Sequence, residues 1–238
     1  MRPPSGPSYD ALCADSAAAG MACRGGFHPT PEDAVPATPG GEPARTLVLL
    51  GFTGGRQWPL FTLSPEYRDG EAHPLDRWSR RIIGTLARRF AAHGLYPDGG
   101  PPWLPFQRWA RRAEALHVSP LGILIHPEFG LWHAYRGALA FAVHFELPEL
   151  RHWAHPCESC AEKPCLSSCP VEAIAPGTFH HAACMAHVAS PAGAECRSRG
   201  CLARRSCPVG VSFRYGAEQA ALHMNASLAA ASALDRAT

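Results

Sequence analysis

Eight of the chain's ten cysteines fall between Cys157 and Cys207, in two groups of four that each end in Cys-Pro. The first group is Cys157, Cys160, Cys165 and Cys169, followed by Pro170; the second is Cys184, Cys196, Cys201 and Cys207, followed by Pro208. Gaps this short force the backbone to curl, so that several thiolates converge on one small inorganic centre and the loop amides turn toward its sulfides. The proline after each fourth cysteine fixes φ and donates no amide hydrogen, which turns the chain away into its next segment.

Both groups are stretched versions of the ferredoxin run C-x2-C-x2-C-x3-C-P, in which the fourth cysteine ligates the other cube. On that pattern two 4Fe-4S clusters are expected with crossed ligation: Cys157, Cys160, Cys165 and Cys207 at one, and Cys169, Cys184, Cys196 and Cys201 at the other. Zinc also takes four-thiolate sites. Two zinc ribbons, however, would show paired knuckles with two-residue gaps, and one such pair occurs, Cys157 with Cys160. Disulfides would need an oxidising compartment, and residues 1–20 carry no basic segment followed by an apolar one. Cys13 and Cys23 lie far upstream and read as ordinary buried or half-exposed thiols.

At 238 residues and 46% hydrophobic content, the chain is long enough for one large domain or two small ones. No apolar run approaches the ~18 residues that cross a bilayer. The formal net charge of +2 implies no strong attraction to anionic lipid or RNA, so the expectation is a soluble cytoplasmic protein with neither a membrane nor a nucleic acid as partner.

Along the chain, Tyr9–Ala19 is rich in helix formers, with Ser8 placed as N-cap and Gly20 as a stop. Thr46–Leu50 reads as a buried strand running into a turn at 51–55. In residues 75–93, Leu75, Trp78, Ile82, Ile83, Leu86 and Phe90 recur at helical steps while arginines take the other faces, an amphipathic helix. A second helix is expected over Phe106–Leu116, a strand over Leu121–Ile125, a turn at 126–130, and a hairpin beginning near Leu131. Ala217–Ala231 reads as a closing helix. The division is residues 1–45 (helix and Pro/Gly-rich segment), 46–150 (an α+β domain), 151–215 (the two-cluster module) and 216–238 (the last helix).

The segments FQRWARRA (106–113), LGILIHPEFGLW (121–132) and FELP (145–148) run in that order into Cys157 and CPVEAI (169–174), and HHAACMAHV (180–188) brings Cys184 to the second group. This order resembles the epoxyqueuosine reductase family of corrinoid iron-sulfur enzymes of tRNA modification, and more distantly the reductive dehalogenases; Tyr9–Phe27 is similar to the family's opening helix and strand. The resemblance implies a nitroreductase-like α+β domain of corrinoid-binding type, followed by a ferredoxin-like module that delivers single electrons to cobalt, with cobalamin as a further cofactor. The chain departs from the family where LHVSPLG (116–122) replaces a Gly-Lys-Asn turn. Near the expected catalytic carboxylate, Asp98 is the candidate, set against a plain turn aspartate. Too few residues follow Cys207 for the helical repeats with which some members bind tRNA.

Of the histidines, His126 and His133 flank the 126–130 turn and are the candidates for corrinoid contact, weighed against hydrogen-bonded or solvent-facing roles. His152, His155, His180, His181 and His187 surround the cysteines and are read as surface groups ahead of tuning groups. Arginine pairs at 80–81, 88–89, 111–112 and 204–205 read as solvated faces, although Arg204 and Arg205 lie where a redox partner protein would approach. Trp103, Trp109, Trp132 and Trp153 read as core or pocket walls. The expected function is electron transfer through two 4Fe-4S clusters, with a cobalamin-dependent reductase as the alternative.

Overall fold

The computed structural model describes residues 7–235. In chain order its main elements are α1 (Tyr9–Ala18), β1 (Ala22–Phe27), β2 (Thr46–Thr53), α2 (Trp58–Thr62), α3 (Pro65–Arg68), α4 (Pro74–Arg89), β3 (His93–Leu95), α5 (Phe106–Ala113), β4 (His117–Val118), β5 (Leu124–Ile125) and β6 (His133–Phe141). The cysteine-bearing part adds β7 (Ile174–Ala175), β8 (Thr178–Phe179), α6 (His181–Ala189), α7 (Ala194–Arg199), α8 (Leu202–Arg205) and α9 (Ala217–Asp235). The chain mixes helices and strands and divides into two units. One runs through Ala115 and includes Ala134–His152; the other comprises Leu116–His133 and the chain from Trp153 on. No described helix is long and apolar enough to cross a membrane.

The first unit is built on a sheet with strand order β1-β2-β6-β3. Every residue of β2 is buried, as its unbroken run of apolar side chains requires of an interior strand. Ser8 caps α1 by accepting the Ala11 amide, and the helix ends ahead of Gly20. The predicted apolar stripe of α4 is buried through Leu75, Trp78, Ile82, Ile83 and Leu86, and Trp78 meets Phe61 and Phe52 ring to ring. Each such side chain contributes about 1.5–3 kcal/mol by leaving water.

Three expectations are corrected. The strand over Leu121–Ile125 shrinks to Leu124–Ile125, paired with His117–Val118. The apolar stretch after Leu131 does not form a hairpin with it; β6 lies between β2 and β3, antiparallel to β3. The reason is burial: Gly137–Phe141 are all buried, and a stretch without polar alternation is satisfied inside a sheet rather than in an isolated hairpin. Helix α5 stops at Ala113 because Glu114 turns extended and sends its carboxylate to the buried Arg24.

In the second unit, α9 packs against α7 and α6, and α8 against the single turn Pro164–Leu166. Of the tryptophans, Trp109 and Trp132 are buried, but Trp103 and Trp153 are exposed, contrary to their reading as core or pocket walls. Both sit in Pro-rich connections that offer no apolar face to pack on.

Candidate metal centre

All eight clustered cysteines lie in the second unit, five of them in or beside short helical elements. Cys165 rides the turn Pro164–Leu166. Cys184 projects from α6 and Cys196 from α7. Cys201 is the N-cap of α8, and Cys207 follows its end. Short turns suit this task because they leave backbone amides unpaired by a helix ladder. Those amides reach sulfur: Ala173 donates to Cys169 Sγ at 3.3 Å, Ala203 and Arg204 donate to Cys201, and Val209 donates to Cys207.

The thiols fall into two groups by mutual influence. Burial first, and then the charges of Cys207, Cys165 and Cys160, push the Cys157 thiol up to about 11. Burial raises Cys165 and Cys207 as well; Cys165 feels Cys207 and Cys160, and Cys207 feels Cys160. In the other group, burial and then Cys201, Cys169 and Cys196 push Cys184 up to about 11. Cys201 is raised by burial and by Cys196 and Cys169. In each case the influencing cysteines come from the same quartet, and Cys169 and Cys207 each fall with the cysteines of the other sequence group.

The surroundings are apolar. Cys169, Cys184, Cys196 and Cys201 together line one cavity of about 220 Å³ whose wall includes Ile174 and Val188. Around the first quartet, Cys207 packs with Ile125 and Leu131, and Cys157 packs against that cluster. The chain approaches itself closely here. Gly130 and Gly210 both have positive φ, and a Cβ on Gly130 would stand 2.1 Å from the Val209 carbonyl, one on Gly210 2.4 Å from that of Phe129. Two side-chain-free positions let the 126–130 turn press against the residues just after Cys207-Pro208.

Among the described residues, no three His, Cys, Asp or Glu side chains close up as a site for a single metal ion.

The remaining candidates are held elsewhere. Asp98 sits in a turn, over a third exposed, its carboxylate 3.0 Å from Arg80. His126 Nδ1 accepts the amides of Glu128 and Phe129 at 3.0 and 3.1 Å, with its ring stacked on Phe129. His133 Nε2 donates to the Leu124 carbonyl at 3.0 Å. His155 accepts the Cys157 amide, and His181 and His187 line the second quartet's cavity. Arg204 and Arg205, read as a solvated face lying where a redox partner would approach, are engaged internally. Arg204 donates to the Leu131 carbonyl and lies over the rings of Trp132 and Tyr215, which also meet each other edge-on, and Arg205 pairs with Glu195. Sequence reasoning missed the Trp132–Arg204–Tyr215 contact; three residues so far apart in the chain carry no local signal of it.

No family model matches the chain, and no curated protein matches it. Among solved structures, the chain is similar to a crystal structure of epoxyqueuosine reductase with an epoxyqueuosine-modified tRNA-Tyr stem loop. The TM-score is 0.50 and the identity 16%, over 87% of this chain and 66% of that one. The likeness is one of fold, and the chain spans just under two thirds of the length of the structure it matches. It also corrects one expectation: a protein of this fold was solved with tRNA, so the near-neutral net charge is no argument against a nucleic-acid partner. Net charge sums the whole surface, whereas phosphate contacts are made by a few local cations.

Proposed function

We propose that the chain is an iron-sulfur electron-transfer protein of the epoxyqueuosine reductase type, carrying two 4Fe-4S clusters. The observation that carries this reading is the sorting of the eight thiols into two quartets, with Cys169 and Cys207 exchanged between the sequence groups. Cys157, Cys160, Cys165 and Cys207 would hold one cluster, and Cys169, Cys184, Cys196 and Cys201 the other. When bound, each cluster supplies one-electron transfer. The chain's own part is to exclude water with apolar walls and to aim the amides of Ala173, Val209, Ala203 and Arg204 at the ligating sulfurs, the levers that set a cluster's potential. On this reading, residues 151–215 form a ferredoxin-like module, residues 46–150 a nitroreductase-like domain, and the protein works in the cytoplasm with a redox partner protein as electron donor. Iron and zinc counted per chain after anaerobic purification, with an electron paramagnetic resonance spectrum of the dithionite-reduced protein, test it; zinc alone, or no metal, overturns it.

The fold likeness favours a second reading, a cobalamin-dependent reductase acting on a tRNA stem loop. His126 and His133 each commit a ring nitrogen to backbone groups, so this reading rests on the likeness and not on a ligand set in hand. Titration of the anaerobic protein with hydroxocobalamin, followed by absorbance, and with a labelled tRNA stem loop, followed by anisotropy, decides it. No binding of either at micromolar concentration leaves the electron-carrier reading alone.

A further inference from the structure

One cation of the second unit sits on the stretch of chain that joins the two quartets. Arg204 belongs to α8, which has Cys201 as its N-cap and Cys207 just past its end. The Cys201 carbonyl accepts the Arg205 amide at 3.0 Å, and the Arg204 carbonyl accepts the Cys207 amide at 3.4 Å. The side chain of Arg204 takes the Cys207 side. Leu202 and Ala203 line the cavity of the other quartet, whereas the Arg204 guanidinium donates from two nitrogens to the Leu131 carbonyl, and Leu131 packs with Cys207.

A carbonyl anchors this cation without neutralising it. The guanidinium carbon lies 4.6 Å from the centre of the Trp132 ring and 4.8 Å from that of Tyr215. Trp132 is itself buried, so aromatic faces replace water around part of the charge. The neighbouring Arg205 is paired with Glu195; among the described residues no carboxylate pairs with Arg204.

We infer that Arg204 sets the reduction potential of the cluster held through Cys207, raising it above that of the other cluster so that it is the first to be reduced. This rests on the two-cluster reading proposed above. Reduction adds one negative charge to a cluster, and a fixed cation close by lowers the energy of the reduced form more than that of the oxidised form. Sheltered from water, the charge is screened less than a surface arginine. The anchoring on Leu131 holds it in place, so no side chain has to move as the electron arrives. The step is a single electron passing from a reductant to the cluster, with no bond made or broken. An electron that enters at the other quartet is then drawn toward Cys207.

Full-length protein, purified without oxygen, is titrated with dithionite in the presence of redox mediators and followed by electron paramagnetic resonance, with iron counted per chain. In the wild type, the signal that appears first should be the one that Cys165→Ala abolishes. In Arg204→Gln the reduced-to-oxidised ratio of that cluster at a fixed potential should drop about tenfold, a shift of ~59 mV for one electron. Arg204→Lys, which keeps the charge, should recover most of this. Arg205→Gln removes a charge from the same helix but a paired one, and should leave the potential in place. The inference is overturned if the other cluster is reduced first in the wild type, if Arg204→Gln with wild-type iron titrates as the wild type does, or if Arg205→Gln gives the same shift. The order of reduction in the wild type decides the matter even if Arg204→Gln loses its clusters. A wild type without iron takes the cluster reading down together with this inference, whereas full iron with an unmoved potential overturns this inference alone.

Discussion

Arg24 grips Glu114 through two N–H donors, Nε to Oε1 at 2.9 Å and a terminal nitrogen to Oε2 at 2.7 Å, with the arginine side chain only 1% exposed. A third N–H of the guanidinium goes to the Phe52 carbonyl, the Tyr135 hydroxyl donates to the same carboxylate, and the Tyr135 ring lies 4.8 Å from the guanidinium carbon. Burial drives the Tyr135 hydroxyl well above the ordinary tyrosine range, so it acts as a donor and not as an anion. The network ties β1 to β2, to the end of α5 and to β6. Removing one member leaves a buried charge uncompensated, which costs about 3–5 kcal/mol. Glu114→Gln should therefore lower the unfolding free energy by that amount, read as a lower urea midpoint at an unchanged slope. Arg24→Leu combined with Glu114→Leu should lose much less than the sum of the two single changes, because neither charge is then stranded.

The proposed exchange of Cys169 and Cys207 between quartets has a measurable consequence. If each sequence group held its own cluster, Cys169→Ala would disturb the same cube as Cys157→Ala. The proposed quartets predict the reverse pairing: Cys207→Ala should reproduce the spectrum of Cys165→Ala, and Cys169→Ala that of Cys201→Ala. Each should retain roughly half the wild-type iron. Iron analysis and paramagnetic resonance of the five reduced variants check this, and matching spectra for Cys169→Ala and Cys157→Ala would sink the crossed assignment.

What could be read in the sequence was what local chemistry decides. Ser8 was legible as a cap and α4 as an amphipathic helix because capping oxygens and apolar spacing act within one or two turns. The clustering of eight cysteines was legible because it lies in the residue spacing itself. The place of β6 was not, since a buried strand and a hairpin arm share the same apolar composition, and only partners as distant as β2 and β3 choose between them. Nor was the short reach of β5, which is set by its pairing with two residues of β4. Arg204 looked like a docking cation because its neighbours in sequence are ligands and basic residues; its ring partners, Trp132 and Tyr215, come from other segments.

The close approach of Gly130 and Gly210 makes a prediction at a distance from any ligand. A methyl group at Gly210 would stand 2.4 Å from the Phe129 carbonyl, at a position where φ is +69°, so both strain and collision push the segment after Cys207 outward. Gly210→Ala should reduce occupancy of the cluster that uses Cys207 while leaving the other, whose cavity is lined by other segments. Iron content in this variant is expected between half and all of the wild-type value, with the deficit in the spectrum that Cys207→Ala abolishes.

Asp33 supplies a pH dependence with a defined sign. Its carboxylate is buried, which by itself raises its affinity for a proton. Hydrogen bonds from Arg112 and from the Thr30 amide, the latter at 2.7 Å, outweigh that effect and hold it below the ordinary value of 3.8. Asp33 also anchors α5 from the other side, its backbone carbonyl accepting the Trp109 indole N–H at 2.8 Å. A carboxyl whose folded-state value is depressed contributes stability that is fully present above the unfolded-state value and lost as pH falls through the folded-state one. Asp33→Asn keeps the shape but forgoes the charge, and at pH 7 it should cost about 1.5–3 kcal/mol, the usual range for a hydrogen bond to a charged group. As pH drops below 3.8, the wild type loses this contribution by protonation while the variant has none to lose. The gap between their urea midpoints should therefore narrow toward zero with falling pH, whereas a gap that stayed constant down to the acid transition would mean that the Asp33 charge contributes nothing and that the cost of the substitution lies in packing.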